Sequence, residues 1–411
     1  MTTCELAVLP PSFYDTTPQL ATIRRKANHV MTGPDAVLMA CLARVAAATT
    51  PNVVVDYQRC PLNLFVANVG LPGTGKSKAA TAARHLLPNL NIDADWVPVP
   101  SGEGLCDLFL GKVDKETHER PQLKQTAFVY VDEGQQLHKT GQREGSTILD
   151  VARSMWAAQP VGTMNADPDR RRQLRGDSVR IGLVVNYQPD VALSLFAGAN
   201  VGDPQRFVFV SCLAPNADRV RPPDVPVLAW QPNNRDRALR VPREIADFLA
   251  DNEWRVATGQ RIVDPLEVHD LQNQLRVAAL LTLFHDPNAD AVRDDMWNAA
   301  TAILELSREN RRRLAEYERA KASLAIGERR NQDIENERVK RVARDKFTAA
   351  ERVCNRIVAR LATGSMTQTE LSQFLGGRDR WTLVEALQIG VERGQIVVVD
   401  AGNGREYRLG Q

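Results

Sequence analysis

Short apolar runs alternate with stretches of helical spacing through the first half of the chain, each bounded by glycine, proline or polar turns. Residues 52–57 and 62–69 read as strands, and 76–87 as a helix closed by Pro88 and Asn89. Residues 95–99 read as a short strand, and 105–110 as a helix after a Ser-Gly-Glu-Gly turn. Three more apolar runs, 127–131, 179–185 and 207–210, read as strands, with a helix over 148–158. Apolar strands alternating with helices predict an α/β core whose mostly parallel sheet is covered on both faces. Ahead of it, residues 1–30 are mixed and proline-bearing and are expected to lie across the next domain's surface. Pro34 then opens an alanine- and leucine-rich helix that Thr32 or Gly33 can cap.

After Cys212 the pattern turns loop-like, rich in proline and asparagine, which marks a domain boundary. Helical spacing resumes from Pro242 to about Glu318. Residues 308–346 carry 13 Arg/Lys against 8 Asp/Glu, so this stretch reads either as a solvated helix laced with ion pairs or as a DNA-facing surface. The last segment reads as a helix over 348–361, a short helix capped by Thr367, a turn at Gly376-Gly377, a helix ended by Gly394, and a hairpin. That order is the order of a winged helix-turn-helix. The expected divisions are therefore 1–50, an N-terminal segment packing on the core; 51–225, the α/β core; 226–346, a helical region and charged connector; and 347–411, the winged helix.

Composition narrows the picture only a little. A formal net charge of +2 gives no whole-chain argument for nucleic acid, so local charge must carry it. Six cysteines without a C-x-x-C pair read as free thiols in a reducing compartment, with no zinc site. The N-terminal residues lack a basic segment followed by an apolar one, and no helical stretch has the length and apolarity of a membrane span. A cytoplasmic protein with no membrane partner is expected.

Candidate chemistry concentrates at two places. The stretch NLFVANVGLPGTGKSKAA fills the pattern G-x-x-x-x-G-K-[ST] with Gly70, Gly75, Lys76 and Ser77, between an apolar strand and a helix. The glycines permit a tight loop whose main-chain N–H groups, from Gly70, Gly73, Thr74 and Gly75 through Lys76, Ser77 and Lys78, face phosphate oxygens at a helix N terminus. Lys76 is placed for the β- and γ-phosphates of ATP, and the Ser77 hydroxyl for Mg²⁺. The second place is TAFVYVDEGQQL, where an apolar strand ends on Asp132, suited to the magnesium shell, and Glu133, suited to polarise the attacking water.

Four further groups are candidates. Asn186 and Gln188 follow the strand 181–185 and read either as γ-phosphate sensors or as ordinary turn residues before Pro189. Arg206 reads either as an arginine finger toward a neighbouring subunit or as a structural ion-pair partner. The basic run of Arg170, Arg171, Arg172, Arg175 and Arg180 reads as a DNA contact or inter-subunit finger. Glu103, in the Ser-Gly-Glu-Gly turn, is a further candidate near the water.

From about Leu9 to Ser211 the chain resembles the RecA-like P-loop NTPase domain of prophage, plasmid and mobile-element replication proteins, the primase–helicase-associated family. The residues that carry the resemblance are LPPSFYD, GPDAVLMACLARVAAA, NLFVANVGLPGTGKSKAA, FVYVDEGQQL, RIGLVVNYQPDVALSLF and QRFVFVS. Leu71 and Pro72 make the loop less glycine-rich than many relatives. The resemblance implies a ring-forming homo-oligomer, a hexamer among the options, whose ATPase is stimulated by nucleic acid and drives a helicase. It implies Gln188 as sensor, Arg206 as finger, and single- or double-stranded DNA as partner; no primase zinc motif or catalytic domain is recognisable, so any primase is expected as a separate chain. The alternative from a different class is a nucleotide-switched DNA-binding regulator or partition-type protein without unwinding activity.

Overall fold

The computed structural model describes residues 4–98, 101–141, 147–163, 171–196, 202–401 and 404–410. They form two compact units, Met1–Ala320 and Lys321–Gln411, with the division falling inside the helix Asp294–Leu361.

The first unit is built on five parallel strands: β1 (Leu64–Val69), β2 (Ala94–Val97), β3 (Thr126–Val131), β4 (Arg180–Tyr187) and β5 (Phe207–Ser211). Their order across the sheet is β2-β3-β4-β1-β5, so β4 lies between β1 and β3. Alternation along the strands divides the core in two. Leu64, Val66, Phe128, Val184 and Val208 face one side with the N-terminal helices. Phe65, Ala67, Val129, Leu183 and Phe207 face the other, against the helix Ile148–Trp156.

Within residues 4–30, expected to lie across the next domain's surface, the chain forms the helices Pro11–Tyr14 and α1 (Pro18–Val30). Thr17 caps α1 by accepting from Leu20 N–H, and Pro18 takes the first helical position. Leu20, Ile23 and Ala27 share one face and are fully buried, a stripe diluted in the sequence by the polar residues between them. The alanine-rich α2 (Pro34–Ala48) is buried from Asp35 to Ala48. It approaches β4 so closely that a Cβ on Gly182 would lie 2.0 Å from Ala43 O, which explains both the glycine and the small helix residues. The next helix, α3 (Lys76–Leu86), begins directly after the glycine loop.

The chain after β5 runs without regular elements to Arg237–Leu239, which pairs in parallel with Val53–Val55 apart from the main sheet. The helix Asp270–His285 then joins the same core, buried from Asn273 to Phe284. Part of the basic run is a strand, Arg172–Leu174, antiparallel to Val161–Thr163.

In the second unit, Thr367 and Glu370 form a reciprocal capping box on the helix Gln368–Phe374. A second helix, Leu383–Glu392, ends near Gly394 at φ 68° and leads into the strands Ile396–Ala401 and Gly404–Leu409. With Met366–Thr367 these make a three-stranded antiparallel sheet. Val353, Ile357, Leu371, Leu387 and Ile396 form its core. Gly402 and Asn403 of the expected turn lie outside the described residues.

Candidate functional site

The glycine loop leaves the sheet from the end of β1, where Gly70 N–H donates to Tyr187 O of β4 at 3.0 Å and Cys212 N–H to Val69 O at 3.0 Å. Both Gly73 (φ 84°) and Gly75 (φ 87°) occupy the left-handed region, which explains glycine at those two positions. Thr74 Oγ1 closes the turn onto Leu71 O at 2.8 Å. From outside the loop, Thr32 Oγ1 donates to Gly75 O at 2.9 Å. The Lys76 ammonium lies over the loop's own carbonyls, at 2.8 Å from Gly70 O and 2.9 Å from Leu71 O. Burial lowers its pKa, offset in part by Cys212 and Asp132.

Ser77, at the start of α3, donates from Oγ to Asp132 Oδ1 at 2.6 Å. The same carboxylate oxygen accepts from Tyr130 OH at 2.7 Å and from Asn186 Nδ2 at 3.0 Å. Asn186 also donates to Tyr130 OH at 2.8 Å, and Asn68 Nδ2 donates to Asn186 Oδ1 at 3.2 Å. Three adjacent strands therefore meet in one polar network at their carboxyl ends, with Asn68 and Asn186 paired in register and buried. Partial burial pushes the Asp132 pKa up, but donation from Ser77, Tyr130 and Asn186, with the Lys76 charge, holds it below its ordinary value. The Tyr130 ring stacks on Trp96 with centroids 4.7 Å apart, which fixes its hydroxyl direction.

Glu133 follows Asp132 and is exposed; so are Ser77 and Lys78. Gln188 is exposed just past the end of β4, its carbonyl accepting from Val191 and Ala192 N–H. Asn186, not Gln188, joins the Asp132 network.

Arg206 is not brought to this cluster. It precedes β5, and the pairing of Phe65 with Phe207 puts it at the opposite end of the sheet from the glycine loop. Its guanidinium lies over Trp156, 5.2 Å from the ring centroid, and donates to Gly202 O at 2.6 Å. Arg180 is likewise no surface contact. It is buried and donates to the carbonyls of Thr50, Pro51 and Val53, its apolar strand neighbours having drawn it inside. Arg172 pairs with Asp107 at 3.0 Å and Arg175 with Asp177 at 3.0 Å. Arg170 lies outside the described residues. Glu103 faces Arg172 at 3.6 Å, in the same group as Asp107.

Sequence reasoning missed Tyr130, Asn68, Trp96 and Thr32. Tyr130 had a signal, standing two residues before Asp132 and so on the same side of β3. The others depend on strand order and on where the N-terminal helices dock.

A loop of main-chain N–H groups at a helix N terminus, beside an ammonium group, suits a multiply charged anion. The Ser77 hydroxyl and Asp132 carboxylate are the oxygen ligands a hard divalent cation takes. Among the described residues, no cluster of three or more His, Cys, Asp or Glu side chains could hold a metal, so such a cation would take its other ligands from water and the anion. No single helix among the described residues is long and apolar enough to cross a membrane. Neither protein-family models nor curated proteins give a match to the chain.

Proposed function

We propose that the chain is a magnesium-dependent ATPase with a RecA-like P-loop core, and that hydrolysis drives a helicase or translocase in replication of a mobile genetic element. The observation that carries the reading is the meeting of Ser77 and Asp132 at 2.6 Å, with Glu133 free beside them and Lys76 across the loop. In this reading the loop from Gly70 to Lys78 holds the phosphates, whose oxygens replace the Gly70 and Leu71 carbonyls as acceptors of the Lys76 ammonium. Ser77 and Asp132 would hold Mg²⁺, which neutralises phosphate charge when bound. Glu133 accepts a proton from the attacking water, and Asn186 keeps Asp132 aimed at the cation. Arg206, at the far sheet end of its own chain, can serve as a finger only toward a second copy in a ring.

The second unit fits a winged helix-turn-helix in element order. Its helix Leu383–Glu392 carries no lysine or arginine and exposes Val384 and Val391. Arg380 donates to Ser372 O at 2.7 Å, and Arg393 is paired with Glu351. These features favour contact with a separate replication protein over reading of base edges by that helix.

The test is ATP hydrolysis with and without single-stranded DNA, for wild type, Lys76→Ala and Glu133→Gln. Stimulation by DNA and loss of hydrolysis in both variants support the motor. Hydrolysis indifferent to single strands, with tight binding of one duplex, turns the reading to the nucleotide-switched regulator. Hydrolysis undiminished in both variants ends it.

A further inference from the structure

A cavity of about 410 Å³ lies between α1, the segment before it and the loop after β5. Its volume is that of a small-molecule site. Leu9, Asn28, Pro34, Leu213 and Ala217 are among its lining residues.

Residues adjacent in sequence to this cavity's lining touch the glycine loop. Pro34 follows Gly33, whose N–H donates to Cys212 O at 2.9 Å. Leu213 follows Cys212, whose Cβ would stand 3.1 Å from a Cβ placed on Gly70. Two residues before Pro34, Thr32 holds Gly75 O. The apolar wall is itself anchored, because the buried Asp35 carboxylate accepts from Leu9 N–H at 3.1 Å and from Tyr14 OH at 2.6 Å.

A nucleobase is flat and apolar on its faces and polar along its edge. Leu9, Pro34 and Leu213 offer apolar surface for the faces. Asn28, half-buried near the end of α1, offers a side-chain amide for the edge. An amide can donate to one ring atom and accept from the amino group of adenine at once. Arg25 brings a positive charge to the same lining.

We propose that this cavity takes the base and ribose of the nucleotide whose phosphates the Gly70–Ser77 loop holds, with Asn28 recognising an adenine edge. The inference rests on the phosphate-loop reading and gives the N-terminal helices a part in binding.

Calorimetric titration with ATP, GTP and inorganic tripolyphosphate, each with Mg²⁺, tests it on wild type, Asn28→Ala, Ala217→Trp and Lys76→Ala. The expected result is ATP binding weakened roughly tenfold in Asn28→Ala and Ala217→Trp, the size of a lost hydrogen bond or a blocked pocket, with tripolyphosphate unchanged. Asn28→Ala should also narrow the preference for ATP over GTP. Lys76→Ala should weaken ATP and tripolyphosphate together. Unchanged ATP affinity in both cavity variants overturns the base site and leaves the phosphate loop standing. Equal loss of ATP and tripolyphosphate in those variants overturns it too, since the cavity then acts only through the loop. A wild type that binds neither ligand removes the phosphate reading and this inference together.

Discussion

Ser77 and Asp132 stand 55 positions apart in sequence and 2.6 Å apart between Oγ and Oδ1. The first opens the helix after β1, the second follows β3, and β4 separates those two strands. Asn186 on β4 bridges the gap by donating to the same carboxylate oxygen. An acid that accepts from three side chains stays ionised at neutral pH and keeps one orientation, which is what a cation site requires.

Glu133 makes none of those bonds, and its exposure predicts a clean separation of binding from chemistry. Glu133→Gln should leave denaturant stability within about 0.5 kcal/mol of wild type, as exposed substitutions do. Hydrolysis should fall about 100-fold or more, the usual worth of a positioned base. Nucleotide affinity, measured calorimetrically, should be retained. A variant that hydrolyses ATP at the wild-type rate would place the base elsewhere.

Asn186 should matter in both respects. Replacing it by alanine leaves Asn68 Nδ2 without its acceptor and takes one donor from Asp132. The site is buried, so stability should drop by about 1–3 kcal/mol in urea denaturation. Hydrolysis should fall alongside it, and more magnesium should be needed for half-maximal rate. Loss of stability with an unchanged magnesium requirement would make the network purely structural.

The local parts of this site were legible and the non-local parts were not. Glycine spacing and the apolar run before it announced the loop, and Phe128–Val131 announced the strand that ends on Asp132, because both signals lie within about ten residues. Which strand separates them is a property of the sheet order, so Asn186 could be named but not joined to Asp132. The surroundings of Arg180 and Arg206 were illegible for a related reason. Charge is visible in a sequence, but the fold decides whether a guanidinium is buried against carbonyls or set at the far end of a strand. The stripe Leu20, Ile23 and Ala27 was present but diluted, so α1 was missed, and with it the bond from Thr32 to the glycine loop.

Asp35 ties that N-terminal region to pH. Burial pushes its carboxyl up from 3.8 to about 6, against the hydrogen bonds from Tyr14 and Leu9. Between those values the folded chain holds a proton that the unfolded chain has released. Its contribution is therefore complete below about pH 4 and lost as pH rises through 6, a change on the order of 3 kcal/mol. Asp35→Asn cannot titrate, so the stability difference between variant and wild type should shift toward the variant across that window. Urea denaturation at pH 4, 5, 6 and 7 measures it, and parallel curves would refute the assignment.

Gly73 and Gly75 offer the sharpest test of how the loop is held. Both have a positive φ, 84° and 87°, so alanine at either should cost about 1–2 kcal/mol for the left-handed backbone. Their surroundings differ. A Cβ at Gly73 meets nothing within 4 Å, whereas one at Gly75 would lie 2.9 Å from Thr32 Oγ1 and 3.0 Å from Met31 O. Gly75→Ala must therefore also push the loop away from the segment between α1 and α2. It should lose at least about 1 kcal/mol more stability than Gly73→Ala, in the range of overpacked sites. It should also lose more ATP affinity, since moving the carbonyl that Thr32 holds misdirects the amides that follow. Equal losses in the two variants would mean that the residues between α1 and α2 do not brace the loop.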